Sequence, residues 1–400
     1  MTAYDETRSS TEGVASLPKE SEGLTLLTDR EHGCTVISGG SCTDTAVVLP
    51  RSYLGEPVTA VGENAFFNCK TICSVTLPAS LTHIEPAAFF GCSALQSVCL
   101  PETTEVIDIE AFERCTSLHS VTIPSQVSTL EGGAFAFCSS LTELRVSPEN
   151  PYYCGDGTII YTKDRETAVQ YAVGHPQTSV LIPEGVTHIG TCAFQGAKLL
   201  ETVALPRGIE RIGDCAFWGC SSLSDVTLPD GLSAVEEFAF CDCAALTEVT
   251  VPESVTEIGE SAFAKCTSLR SAVLDCRIDR IAQHTFSNCT ALTDVSLPTS
   301  VTRIEIAAFH GCTALEEIRL PVGIREIEDC AFTDCSMLRS VTIPASVTDL
   351  GIALFKNCTY LSEIRYEGTK EEWARIRRRP YADTDKTVRT VLCTDGNTSF

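Results

Sequence analysis

Apolar residues recur along most of the chain as Leu-x-x-Val-x-Leu, and most of these runs end in proline, as in Leu223, Val226, Leu228, Pro229 and Leu292, Val295, Leu297, Pro298. The closing alternation predicts a short strand with one face turned inward. Proline then ends the ladder because it has no N–H to donate. A second apolar pair, V-T-x-I, predicts another short strand, and the Ala-Phe stretch after it reads as a helical turn. Two residues after the phenylalanine stands Gly, Asn or Asp in nine of twelve cases. Those types tolerate a left-handed exit conformation.

The phenylalanines set the register. Phe66, Phe89, Phe112 and Phe135 are each 23 residues apart, and so are Phe194, Phe217, Phe240, Phe263, Phe286, Phe309, Phe332 and Phe355. The gap from Phe135 to Phe194 is 59 residues, one period plus an insertion of 36. Self-similarity at this period with Leu-x-x-Val-x-Leu is the leucine-rich repeat signature. One coil cannot bury its own apolar edge, so neighbours must stack into a continuous core. The expected fold is an α/β repeat solenoid: a right-handed leucine-rich-repeat coil with parallel β-strands, short helical turns and one β-hairpin insertion. At about 4.8 Å per parallel strand, twelve coils give a body roughly 60 Å long.

The chain divides accordingly. Residues 1–23 form a polar segment expected to be disordered, and 24–57 an N-terminal cap with a leading strand. Four coils occupy 58–148, the insertion 149–183, eight coils 184–366, and a C-terminal cap helix and strand 367–400. The insertion, NPYYCGDGTIIYTKDRETAVQYAVGHPQTSVLIP, alternates as two strands around Thr162 to Glu166 and reads as a hairpin lying against the rod. With Tyr152, Tyr153, Tyr161 and Tyr171 it is either a hairpin packed on its neighbours or an aromatic ligand patch. In the C-terminal cap, Trp373 and Ile376 are expected to cover the exposed end of the core.

Coils such as VTRIEIAAFHGCTALEEIRLP, from Val301, resemble the BspA-like leucine-rich repeat proteins of bacterial-surface type. The resemblance runs over about residues 31 to 395 and includes NPYY…DGTIIYTKD, YEGTKEEWARI and CTDG. It implies a binding or adhesion role towards host or cell-surface proteins, and it carries no catalytic residues. The N-terminus shows no apolar stretch of the kind a secretory signal needs. The expected compartment is therefore the cytoplasm, with the cell surface or non-classical secretion as the alternative.

Charge narrows the partners. With 29 Lys+Arg against 53 Asp+Glu the formal charge is −24, which disfavours nucleic acid and anionic membranes. No apolar run is long enough to span a bilayer. Eleven of the 22 cysteines stand three residues after the phenylalanine, from Cys69 to Cys358, and only Ala197 breaks the row. A small apolar residue can replace a packing thiol but not a ligand or a disulfide partner, so the row reads as buried filler. Cys192 and Cys215, two before Phe in adjacent coils, are the pair to watch for oxidation, and Cys99 falls on the outward strand face. No metal knuckle, nucleophile elbow, P-loop or dinucleotide turn is present, so neither an enzyme nor a cofactor is expected.

Acidic residues form two groups. Glu63, Glu85, Asp108, Glu131, Asp214, Glu236, Glu260, Glu305 and Glu328 stand where the helical turn begins and complement its dipole. The others lie on the outward strand face: Glu143 and, further along, Asp225, Glu248, Asp294, Glu317 and Glu363, these last five joined two places on by Arg319 and Arg365. These seven are the candidate partner-binding residues, with a purely solvated strand face as the alternative. Phe67, Phe90, Trp218 and His310 follow the ladder phenylalanine and form either a second contact strip or inter-coil packing. The expected molecule is a monomer that binds a protein without catalysis; the competing possibility is a scaffold with no specific ligand.

Overall fold

The computed structural model describes residues 19–29, 33–39, 42–378 and 390–400. The N-terminal segment 1–23 therefore lies outside the described residues except for its last five. Each coil contributes a strand of two to four residues to one face, for example Ser120–Ile123, Glu248–Val251 and Glu317–Arg319. The strands are parallel and pair one repeat apart, as in Ser120 with Glu143 and Ser340 with Glu363. The V-T-x-I segments make a second parallel row of two-residue strands, such as Arg303–Ile304 beside Glu326–Ile327. Between the two rows lies the core, where the ladder phenylalanines stack face on face. Ring centroids are 5.1 Å apart for Phe66 and Phe89 and 5.7 Å for Phe332 and Phe355.

The parallel-strand leucine-rich coil is as expected, but its Phe-bearing turn is not helical. Its N–H groups alternate between partners: Phe66 donates to Ala88 of the next coil (2.8 Å), Phe67 to Asn64 of its own (3.1 Å), and Asn68 to Phe90 of the next (2.7 Å). This alternation needs left-handed residues on both sides of the phenylalanine. The expected exit residue has positive φ, as in Asn68, Arg114 and Asp242, and so does the residue two before Phe, as in Ala87, Cys215 and Ala307. A non-glycine residue there costs about 1–2 kcal/mol. Hydrogen bonds to the next coil, repeated from Phe66 to Phe332, offset that cost.

Without a helix there is no dipole for the first acidic group to complement. Its carboxylates instead accept backbone N–H groups across coils: Glu85 from Glu63 (3.0 Å) and Asp214 from Glu237 (3.0 Å). Several also pair with arginines, as Glu305 does with Arg280 at 3.3 Å.

The expected hairpin around Thr162 to Glu166 is present, Ile159–Thr162 against Thr167–Tyr171, but it is built into the coil stack and does not lie against it. Tyr153–Gly155, Ile159–Thr162 and Thr167–Tyr171 form three antiparallel strands, and the third pairs in parallel with His188–Ile189 of the following coil. Tyr171 then stacks on Phe194 at 5.0 Å. Tyr171 stands 23 residues before Phe194, so the insertion contains a disguised coil whose ladder residue is tyrosine. Fully buried Asn150 anchors its start, donating to Pro124 and Val127 and accepting from the amides of Tyr152 and Tyr153. The Tyr153 hydroxyl accepts the Leu130 N–H (3.0 Å), which would otherwise be left on an open strand edge. At the far end, helix Lys370–Arg375 opens with a Thr369/Glu372 capping box and buries Trp373, while Ile376 just beyond it is also buried.

Candidate interaction surfaces

Alternation along the strands decides what faces solvent. Asp225, Glu248, Asp294, Glu317, Arg319 and Arg365 are exposed, whereas Glu363 is half-buried. Adjacent parallel strands bring the first of these rows into line as Asp225, Glu248, Ser271, Asp294, Glu317, Ser340 and Glu363, with Ser271 opposite both Glu248 and Asp294. Like charges directly opposite each other destabilise a sheet. The pairing between strands breaks where acid follows acid, between Asp225–Val226 and Glu248–Val251 and between Asp294–Ser296 and Glu317–Arg319, and also between Ser97–Cys99 and Ser120–Ile123, where serine follows serine. At the break between Asp225 and Glu248 the face opens into a groove of about 650 Å³, lined by Asp225, Asp230, Glu248, Glu253 and Asp275 together with Thr227 and Thr250. Of these carboxylates Glu253 is paired, with Arg277. Arg319 is turned towards Glu367 at 3.2 Å, so it neutralises a neighbour and does not extend the acidic row. The seven residues thus share one face, but of them Asp225 and Glu248 alone line the groove, and Asp294, Glu317, Arg319, Glu363 and Arg365 stand beyond it.

The turn edge carries a different chemistry. Phe67 stacks on Phe90 at 4.9 Å, Phe137 meets Trp218 edge-on at 6.2 Å, and Trp218 lies 6.0 Å from Phe238. Both expected alternatives hold in part: the rings pack between coils, yet Phe67 is 47% exposed. His310 instead pairs with Asp334 at 3.2 Å. Arg114 joins the strip with its guanidinium 4.5 Å from the Phe137 ring centroid and its Nε donating to Glu113 at 3.1 Å. Glu113 is buried, and desolvation together with the charge of Glu110 pushes its carboxyl up to about 7 against the opposing pull of Arg114. Neither Arg114 nor Phe137 stands out in the sequence as a surface residue. The one signal is that both occupy the left-handed exit position without being Gly, Asn or Asp.

The model for the BspA type leucine-rich repeat region matches residues 45–156, 173–293 and 279–385. The chain belongs to the BspA-type leucine-rich repeat family. Among solved structures, a leucine-rich repeat protein from Bacteroides ovatus is similar over 95% of this chain and 100% of its own, at 23% identity and a TM-score of 0.56. One from Eubacterium ventriosum covers 84% and 93% respectively at 21% identity, with a TM-score of 0.62. The pneumococcal vaccine antigen PcpA covers 71% and 73% at 22% identity, with a TM-score of 0.54. These likenesses establish the fold. No curated protein matches the chain.

In this BspA-type coil the cysteine row does more than fill space. Cys92, Cys115 and Cys138 are wholly buried, and each thiol donates to the carbonyl of the preceding coil's ladder phenylalanine at 3.1–3.2 Å; the same bond recurs from Cys220 to Cys358. Burial pushes Cys92 and Cys220 up to about 12, so the row stays protonated. At Ala197 no thiol is available for the Tyr171 carbonyl, and the amide of buried Gln170 donates to it instead (3.2 Å). Cys192 and Cys215 are free thiols that share a hydrogen bond, which with burial raises Cys192, and Cys99 is an exposed free thiol. Tyr153, Tyr161 and Tyr171 are buried and only Tyr152 is exposed, so the insertion offers no aromatic patch. Among the described residues no group of three or more His, Cys, Asp or Glu could hold a metal ion, and no helix is long and apolar enough to cross a membrane.

Proposed function

We propose that this protein is a non-catalytic binding module that holds a protein partner on its strand face through a basic surface of that partner. The observation carrying this reading is the groove lined by five carboxylates where the strand pairing opens at Asp225 and Glu248. A rigid rod presents these charges at fixed spacing, so little side-chain order remains to be imposed when a ligand binds. Complementary charge of this kind governs association rate and partner choice more than total affinity. The family membership supports the reading, since repeat modules of this class commonly work by protein contact. Basic side chains of the partner would meet Asp225, Glu248 and Asp294, while Thr227, Thr250 and Ser296 supply hydrogen bonds.

The test is chemical cross-linking in native cells with the wild-type chain and with the variant Glu248→Lys, Asp294→Lys, Glu317→Lys. A partner captured by the wild type and lost from the variant, with melting behaviour retained, supports the strand face. Equal capture by both removes the strand face as the site. Absence of any specific adduct favours the scaffold alternative.

A further inference from the structure

A second groove, of about 330 Å³, runs along the turn edge on the other side of the coil. It is lined by Lys70, Arg114 and Lys198, by Ser93, Thr116 and Ser139, and by Phe137, and no carboxylate lines it. In a chain with 24 more acidic than basic charges this is a local reversal of sign. Lys70, Ser93, Thr116, Ser139 and Lys198 are one position of the repeat in five coils, so the cations and hydroxyls stand in a straight file. The file passes from the first block of coils to the second because the disguised coil stays inside. There the Phe137 N–H bonds directly to the Gln195 carbonyl at 3.2 Å.

We infer that this groove binds a linear anionic polysaccharide, with sugar-borne carboxylate or sulfate groups on Lys70, Arg114 and Lys198 and a sugar ring against Phe137. Arg114 is preorganised for the task. Glu113 holds its Nε and Phe137 supports its guanidinium face, which leaves the terminal nitrogens for a ligand in a side chain that is 50% exposed. A planar guanidinium fixed in this way matches the two oxygens of a carboxylate or sulfate group. Glycines keep the floor open. A Cβ on Gly196 would lie 2.4 Å from the Phe137 ring, and one on Gly91 would meet the Asn68 side chain at 2.4 Å. Hydroxyls between the cations suit the hydroxyls of a sugar, and the part of the half-buried Phe137 ring that Arg114 leaves uncovered suits its C–H surface.

The floor argues against the competing polymers. An extended peptide docks by adding to a backbone ladder, but the amides of Gly91, Arg114, Phe137 and Gly196 all donate to the neighbouring coil. A nucleic acid carries a phosphate at every nucleotide, whereas the groove places its cations in alternate coils with hydroxyls between them.

Titration calorimetry on the full chain would use oligogalacturonate and chondroitin sulfate hexasaccharides, with maltohexaose, hexaglutamate and a single-stranded oligonucleotide as comparators. At least one anionic sugar should bind and maltohexaose should not. The variant Lys70→Gln, Lys198→Gln, which leaves the packed Arg114–Glu113 pair untouched, should weaken binding by about tenfold or more with melting unchanged. Phe137→Ala should weaken it further. Binding of the galacturonate alone assigns carboxylate recognition, and of the chondroitin alone, sulfate recognition. Failure of both sugars to bind, affinity unaltered in the lysine variant, or tighter binding of hexaglutamate or the oligonucleotide would overturn the assignment.

Discussion

The strand-face groove and the turn-edge groove are cut from the same repeating coil, yet one is lined by five carboxylates and no cation, the other by three cations and no carboxylate. They are also made differently. The acidic groove opens where strand pairing breaks between like charges, whereas the basic one is shaped by left-handed turn residues and glycines. The difference shows that a formal charge of −24 is an average over rows of opposite character. Inward positions of the coil are bound to the core, so outward rows are free to acquire any chemistry without altering the fold.

If that separation is right, the scaffold beneath the two grooves should respond alike to the largest perturbation. Phe112→Ala, under Arg114, and Phe240→Ala, under Glu248, should each cost about 3–5 kcal/mol in denaturant unfolding. A gap of more than about 2 kcal/mol between them would mean that the grooves rest on unlike cores. The next effect belongs to the basic groove alone. The carboxyl of Glu113 lies at about 7 when folded, above its usual value near 4.5. Its contribution is therefore fully present below about pH 4.5 and is lost as pH rises through about 7. Relative to wild type, Glu113→Gln should gain about 1–3 kcal/mol of stability between pH 5 and pH 8. A flat pH profile of the difference would show that Arg114 already compensates the buried charge.

A smaller effect tests the coil itself. Cys266→Ala removes the thiol bonded to the Phe240 carbonyl and should cost about 1 kcal/mol. Ala197→Cys should gain almost nothing, because Gln170 already satisfies the carbonyl in question. Smallest of all should be neutralising the strand face: Glu248→Gln, Asp294→Asn, Glu317→Gln should leave the melting free energy within about 0.5 kcal/mol. A large loss would show that the acids hold the face together.

How much of this was legible in the sequence follows from where periodicity speaks. Twelve phenylalanines in register, the strand positions and the C-terminal Trp373 cap could be read directly, because burial imposes a repeating residue type. The thirteenth rung could not, because Tyr171 breaks the phenylalanine rule and its glycine at the cysteine position hides the coil. The geometry of the turn is hidden for another reason. A helix and an alternating left-handed turn place Ala-Phe inward equally well, and only the inter-coil hydrogen bonds separate them. The strand-face acids were legible as a row, but the break in pairing that turns them into a groove was not. Arg114 and Phe137 were hidden because no short-range pattern joins residues that meet only across coils.

Site-specific photo-crosslinking would test the central claim most directly, with a photoreactive residue placed at Thr250 in the acidic groove or at Ser93 in the basic one, in native cells. A protein adduct should form from Thr250, disappear when Asp225 and Glu248 are changed to lysine, and not form from Ser93. A protein adduct that persists from Thr250 in the lysine variant, or that forms from Ser93 alone, would contradict the account.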